Sequence, residues 1–340
     1  MSTTAGVFSE TVLQNIRVRA DEIMFDDRVK QQYIAHVGVM EAINKIQTAR
    51  LGMFRQKDKD VTVEIEWMNT CGMEVEDNTA CEVGGTKSST NTEEHYLDIE
   101  QVVNFSANEY DFVTNDFDLE ESIAKQKLTA DKLLSEYFAQ LMVARLNAYG
   151  GVNTLDTTSK GVVAGALTYI EPAYWTAELI AYLERVAVDN NFGDPFTISG
   201  ANLFESYRIA NFNAGNSDGK GKQQMFNAMN IDFDLKNIDQ VNTPDLITYL
   251  VNRGAVAWAS KSYYGSKIKE YTDSKRWSEP SRNIPGLEIE WHYKDECDED
   301  SDLYIHHFKA KIKAGIFLNP TGCDENNTGV LRFICGTAGD

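Results

Sequence analysis

Apolar and polar residues alternate with different periods along this chain, and the changes of period divide it into elements. Between Asp118 and Gly151 the apolar positions Leu119, Ile123, Ala130, Leu134, Tyr137, Leu141 and Ala148 recur at spacings of three, four and seven. Leu133 and Phe138 widen that stripe, and neither Pro nor Gly interrupts it. This is the period of a helix with one apolar face. Asp118 stands where a helix cap is needed, with Glu121 three residues on, and Gly150-Gly151 suits the left-handed turn that ends helices. The pattern predicts one helix over Asp118–Tyr149, roughly 45 Å long at 1.5 Å per residue.

Elsewhere the period is two. Val61, Val63, Ile65 and Trp67 alternate with Thr62, Glu64 and Glu66, which predicts a half-exposed strand. Asn69 to Thr92 is rich in Gly, Thr, Asn, Ser and Glu, so a long β-hairpin with a polar tip is expected there. Tyr96–Phe105 is predicted as a strand, as are Phe196–Ser199, Ile231–Leu235, Leu246–Val251, Ala255–Ala259, Leu287–Tyr293, Tyr304–Leu318 and Val330–Ile334. Asn252-Arg253-Gly254 is expected to turn between two of them. Gly151–Gly165 reads as a small-residue loop. Helices are expected over about Ala173–Asp189, with Leu179, Leu183 and Val186 inward, and over Ala201–Phe212. In the first 50 residues Ser9 caps a short helix bearing Val12, Leu13 and Ile16. A second is predicted from about Asp27, with Val29, Tyr33, Val37, Met40 and Ile43 on one face. No internal repeat is visible.

Composition narrows the possible functions. The 340 residues are 42% hydrophobic and 25% charged, enough for a real core. The net charge of −20 repels phosphate and argues against a reader of DNA or RNA. No apolar run approaches the ~18 residues of a membrane span. The first ten residues lack the charged and apolar regions of a signal peptide. Cys71, Cys81, Cys297, Cys323 and Cys335 are odd in number, widely spaced and without a Cys-x-x-Cys, so a reducing compartment is expected.

Candidate chemistry is sparse. Gly215-Asn-Ser-Asp-Gly-Lys-Gly-Lys222 lacks the spacing of a phosphate loop. Asp298, Asp300 and Asp302 alternate as in a calcium loop, without its sixth-position Gly or terminal Glu. The reading for this segment, Asp295 to Asp302, is a solvated acidic hairpin tip. His306 and His307 are adjacent on a predicted strand, so they point to opposite faces and cannot share a metal. His36 is expected to pack on the apolar face of the second helix, and His95 and His292 have no candidate partner nearby in sequence. No dinucleotide fingerprint or His-Glu-x-x-His occurs. No catalytic, cofactor-binding or metal residue is therefore assigned, and no cofactor is expected.

The order of parts is more informative: an N-terminal arm, a long hairpin, a strand, a long helix, an α/β unit, then closing strands. It resembles the major capsid protein of tailed bacteriophages, of the Hong Kong 97 type. The residues carrying the resemblance are Tyr96–Phe105 followed by Ser106 and Asp118–Tyr149, then Phe196-Thr-Ile-Ser-Gly200 followed by Asn202-Leu-Phe. Leu246–Val251 with Gly254-Ala-Val-Ala257, His307–Leu318 and Val330–Ile334 complete it. The resemblance implies an α+β fold in five parts. These are an N-terminal arm (1–51), an E-loop hairpin (52–95), a peripheral domain with a spine helix (96–170), an inserted axial domain (171–275) and closing peripheral strands (276–340). It further implies a structural, non-enzymatic protein that self-assembles into hexamers and pentamers of an icosahedral head around double-stranded DNA. The partners implied are other copies of the chain, a portal, a separate scaffolding protein and decoration proteins. DNA is met only through non-specific proximity, and no membrane is involved. The location implied is the virion, after assembly in the host cytoplasm. Two alternatives stand beside it: an encapsulin-like nanocompartment shell, and a soluble acidic enzyme built on Glu171–Tyr271.

Overall fold

A computed structural model describes residues 8–47, 50–51, 62–69, 89–113, 118–153, 161–190, 192–214, 230–242, 246–298, 303–319 and 328–337. The chain opens with α1 (Glu10–Phe25), whose N-cap is Ser9, its side chain accepting from Val12 N at 3.3 Å. At 16 residues α1 is longer than expected. The predicted second helix does not start at Asp27. A single 3₁₀ turn spans Lys30–Gln32, and α2 runs only over Gly38–Ile46. The reason lies in distant side chains. Asp234 Oδ2 accepts from Val39 N at 3.1 Å, capping α2 from outside, and Asn237 Nδ2 donates to His36 O at 2.5 Å. His36 is accordingly exposed and precedes the helix, not packed on its apolar face.

Then follow β1 (Arg50–Leu51), β2 (Thr62–Asn69) and β3 (Ser89–Tyr96). Tyr96 ends β3, and the strand expected to begin there is β4 (Ile99–Asn108). Short α3 (Glu109–Val113) leads to α4 (Leu119–Ala148), a single helix of 30 residues. Asp118 Oδ1 accepts from Glu120 N at 3.0 Å, so the cap is where the sequence puts it. Glu121 does not close a capping box. It pairs with Lys125 one turn on, at 2.6 Å.

The stretch expected as a loop, Gly151–Gly165, contains β5 (Gly161–Ala164), which turns at Gly165, whose φ of 61° favours glycine, into β6 (Leu167–Ile170) beyond it. A 3₁₀ turn at Pro172–Tyr174 delays the next helix until Thr176 caps α5 (Ala177–Asp189). The rest follow as β7 (Pro195–Ser199), α6 (Ala201–Ala214), β8 (Asn230–Phe233) and α7 (Asn237–Asn242). The last of these was not predicted; Asp234 Oδ1 starts it by accepting from Asn237 N at 2.9 Å. Finally come β9 (Ile247–Asn252), β10 (Val256–Ser260), β11 (Lys269–Tyr271), β12 (Ser274–Pro280), β13 (Glu288–Asp298), β14 (Leu303–Leu318) and β15 (Val330–Cys335). The hairpin tip at 70–88, the loop 215–222 and residues 299–302 of the acidic tip lie outside the described residues.

The chain forms two compact units. The first comprises residues 1–35, 97–138 and 259–315. Its sheet has the order β14-β13-β12-β11, with β4 antiparallel on the other side of β14 in register from Ile305↔Asn108 to Ala314↔Ile99. One face is apolar, with Trp277, Ile289, Trp291, Tyr293, Phe308, Ala310 and Ile312 all buried.

The second unit comprises residues 36–96, 139–258 and 316–340. Its six-stranded mixed sheet has the order β5-β6-β15-β9-β7-β8. The sequence placed Val330–Ile334 among closing strands with Leu287–Tyr293. Instead β15 lies between β6, which it joins in parallel, and antiparallel β9. Val330, Leu331, Phe333 and Ile334 are all buried there, and the core includes Leu179, Leu183, Leu203, Leu250, Leu331 and Phe333. Strand alternation alone does not choose between sheets that each have an apolar face. Gly38 sits so close to β8 that an added Cβ would lie 2.3 Å from Phe233 O. Gly38→Ala is therefore expected to destabilise the protein by roughly 1–3 kcal/mol through overpacking, read as a lowered urea midpoint with an unchanged slope.

Candidate functional site

The long helix α4 carries more than its apolar stripe. In the first unit Lys127, Asp131, Ser135 and Glu136 are buried alongside Ile123, Ala130 and Leu134. Lys127 Nζ donates to Glu279 Oε1 and lies 4.9 Å from the ring centre of Trp291 and 5.6 Å from that of Trp277. Trp277 Nε1 donates to the same Glu279 oxygen at 2.6 Å. Arg282 Nη2 reaches Glu279 Oε2 at 3.3 Å and Asp21 Oδ1 at 2.6 Å, and Arg17 approaches Glu279 at 3.9 Å. Asp131 accepts from Ser281 Oγ at 2.6 Å and from Arg282 N at 2.8 Å. Three cations and three carboxylates thus interlock α1, α4, the end of β12 and the chain just after it. Burial alone would raise the carboxyl of Glu279. The charges of Lys127 and Arg282 overcome it and, with their hydrogen bonds, hold the group down at about 2. Each charge is met by another within the cluster, so the arrangement fastens three segments together and offers no spare group for proton transfer.

A second fastening holds the residues before α1. The Phe8 ring stacks on His306 with centroids 3.7 Å apart, Phe8 N donates to Tyr293 Oη at 3.1 Å, and Lys275 Nζ donates to Phe8 O at 2.5 Å. Tyr293 Oη, already accepting, has its proton available for His306 Nδ1 at 3.0 Å, while His306 Nε2 donates to Glu109 Oε1 at 3.1 Å. The network so assigns His306 as neutral with its proton on Nε2. Burial pulls its pKa below the ordinary value, and Glu109 opposes the pull. The folded state therefore favours neutral His306. That contribution is present above the unfolded value of about 6.5 and fades as pH falls below it. Phe8→Ala is expected to speed hydrogen exchange at the residue-8 amide about 100-fold, as loss of roughly 3 kcal/mol of aromatic burial implies. In the unaltered chain the same amide should open more readily at pH 5 than at pH 7.5.

The sequence-derived expectations for histidine hold on the sheet. His306 is buried and His307 faces the other way, 3.5 Å from Glu296. His307 does not pair with Cys297, which stands opposite Tyr304. His95 packs at a tilt against Phe317 at 4.7 Å, and His292 meets Tyr264 edge-on at 5.5 Å. Among the described residues no group of three His, Cys, Asp or Glu side chains is placed to hold a metal, and no helix is long and apolar enough to cross a membrane. Sequence reasoning missed the buried polar residues of α4. Their signal was visible as Lys127, Asp131 and Ser135 at four-residue spacing, with Lys127 inside the apolar stripe between Ile123 and Leu134.

Two features remain unsatisfied within a single copy. The first is the hairpin of β2 and β3. It pairs over eight positions, from Thr62↔Tyr96 to Asn69↔Ser89, roughly 27 Å at 3.4 Å per residue. Among the described residues only short β1 adds to it, and the three strands belong to neither larger sheet. Val63 and Ile65 at its base are buried, but Glu64 stands directly opposite Glu94, a destabilising pairing, and Tyr96 is exposed. The second is an apolar strip on α4. Leu133 and Tyr137, predicted to lie in or beside the core stripe, are 49% and 41% exposed and one turn apart.

No family model matches the sequence, and no curated protein matches it. Among solved structures, the chain is similar to one from Mycobacterium phage Che8, at 15% identity over 80% of this chain and 84% of that one, with a TM-score of 0.45. It is similar to a chain in the capsid structure of the Cyanophage P-SCSP1u, at 11% identity over 82% and 84%, TM-score 0.45. It is also similar to one in the asymmetric unit of the bacteriophage PhiM1 mature capsid, at 10% identity over 82% and 83%, TM-score 0.44.

Proposed function

We propose that this chain is a non-enzymatic shell subunit, the major capsid protein of a tailed-bacteriophage head. The observation that carries the reading is the hairpin β2–β3, long, acidic and paired with neither core sheet. An isolated two-stranded hairpin is marginal in water, so its outer part gains stability by lying on another surface. The exposed strip Leu133–Tyr137 supplies apolar area of the kind that copies cover in an assembly. The spent charges around Glu279 support a mechanical role for α4: they lock a 30-residue rod to its sheet.

On this reading residues 1–51 are the arm, 52–95 the hairpin, the sheet of β4 and β11–β14 with α4 the peripheral domain, and the sheet of β5–β9 and β15 the axial domain. Copies meet through heterologous contacts that close into hexamers and pentamers and then into an icosahedral shell around double-stranded DNA. A portal, a separate scaffolding protein and decoration proteins complete the head, assembled in the host cytoplasm. The overall acidity lets packaged DNA move without general adhesion. Negative-stain imaging of the chain co-expressed with its scaffold and portal tests this. Closed shells filled with DNA are expected. Persistent monomers would sink the reading, and shells enclosing a cargo protein would make it a nanocompartment.

A further inference from the structure

Against the net charge of −20, one patch on a face of the first unit's sheet is basic, although Glu100, Glu290 and Glu296 share that face. The strand register sets Arg276 opposite His292, His292 opposite Lys309, and Lys309 opposite Asn104, a row running across β12, β13, β14 and β4. Directly opposed residues on one face stand about 5 Å apart. With Ser274 and Lys294, these residues line an open cavity of about 480 Å³. Lys294 and Lys309 are exposed, and among the described residues no ion pair joins either to a carboxylate; Glu100, paired with Lys311, is near enough to feel the charge of Lys309, and Glu296 pairs with His307 at the cavity. The Arg276 guanidinium is held in place by neutral groups. Its Nη1 donates to Tyr264 Oη at 2.8 Å, its Nε donates to Ser274 Oγ at 3.3 Å, and it lies 4.9 Å from the ring centre of Tyr271. His292 Nε2 is buried without a hydrogen-bond partner. Burial, then the cations Arg276, Lys309 and Lys311, push this imidazole down to about 4. It is therefore neutral at pH 7, beside concentrated positive charge.

We propose that this cavity is an anion site for a phosphate-class ligand, and that its natural source is the phosphodiester backbone of nucleic acid. Arg276 is preorganised as a planar donor, Lys294 and Lys309 supply point charges, and Asn104, Ser274 and neutral His292 supply uncharged polar atoms. Carboxylates would satisfy the same charges. The three cations with neutral donors around a cavity of nucleotide size favour the larger, multiply accepting phosphate. The proposal rests on the shell reading for its biological setting. It gives the acidic subunit one localised point of attachment for the polymer its remaining surface repels.

The test uses the full chain, a fluorescent mixed-sequence 20-base-pair duplex, and inorganic phosphate as competitor. If three cations each meet a phosphate, duplex affinity falls about 40-fold between 50 and 200 mM salt. Arg276→Gln with Lys309→Gln should weaken binding at least 10-fold, and Lys294→Gln with Lys309→Gln, two exposed changes, should do the same should the first pair misfold. Lys236→Gln, outside the cavity, should leave binding unchanged. Competition by millimolar phosphate would mark a site for free phosphate groups, and its failure would mark a polynucleotide site; both support the proposal. No duplex or phosphate binding at 50 mM salt, binding untouched by both double variants, or binding only of a peptide copying residues 62–96 would overturn it. Shell formation is scored separately by imaging, so absence of DNA binding by the unaltered chain, or binding untouched by both double variants, with intact shells removes this proposal and leaves the capsid reading standing.

Discussion

Glu279→Ala should lower the free energy of unfolding by about 3–5 kcal/mol, the largest effect expected of any single substitution in this chain. Truncation strands Lys127 in a fully buried site with its charge uncompensated, and removes a partner from Arg282 and Trp277. Lys127→Met with Glu279→Leu removes both charges, and should recover at least half of that loss even with Trp277 Nε1 left unpaired. The pH dependence has a definite sign. The carboxyl of Glu279 sits at about 2 in the folded state against an ordinary value of 4.5. Its contribution is complete above about 4.5 and is lost as pH falls through 2. The difference is worth about 3 kcal/mol by linkage. Urea unfolding at pH 7 and pH 3 should therefore show the unaltered chain weakening in acid, with the Lys127→Met/Glu279→Leu pair losing less. Equal acid losses in the two would show that Glu279 is not the group responsible.

Leu133→Glu with Tyr137→Glu should have the opposite profile: near-normal stability and no assembly. Both side chains are substantially exposed in one copy, so their replacement should move unfolding by no more than about 0.5 kcal/mol. In a shell the exposed half of each is covered, and that burial is worth roughly 1.5–3 kcal/mol per copy for the two. Their loss should raise the concentration at which particles form at least about 10-fold. Light scattering against protein concentration measures it. Normal assembly by the double variant would mean that α4 faces solvent in the particle.

The elements that could be read from sequence were those fixed by local chemistry. Ser9 and Asp118 cap helices through side chains within two or three residues. The unbroken run to Gly150 leaves α4 no alternative to a single helix. The period-two segments became strands within a few residues of their expected limits. What was not legible depended on residues far apart in the chain. Asp234 and Asn237 decide where α2 begins, nearly 200 positions away. Val330–Cys335 is a short apolar run that reads as a strand whichever sheet receives it, and pairing with β6 and β9 is settled only by tertiary packing. The polar residues of α4 looked solvated because Lys127 and Asp131 are charged. Their partners Glu279, Ser281 and Arg282 lie about 150 positions on, and only folding brings them together. Leu133 and Tyr137 illustrate the converse error: an apolar residue beside a core stripe is assigned to the core, although in an assembling protein it can belong to a neighbour.

The central claim is that the hairpin Thr62–Tyr96 finds its packing surface on other copies of the chain. Electron cryomicroscopy of particles from co-expressed protein measures this directly, by mapping which chain the hairpin touches beyond its base at Val63 and Ile65. The account predicts closed shells in which those contacts are made mainly to a neighbouring copy. A soluble, folded monomer whose hairpin lies along its own subunit would contradict it.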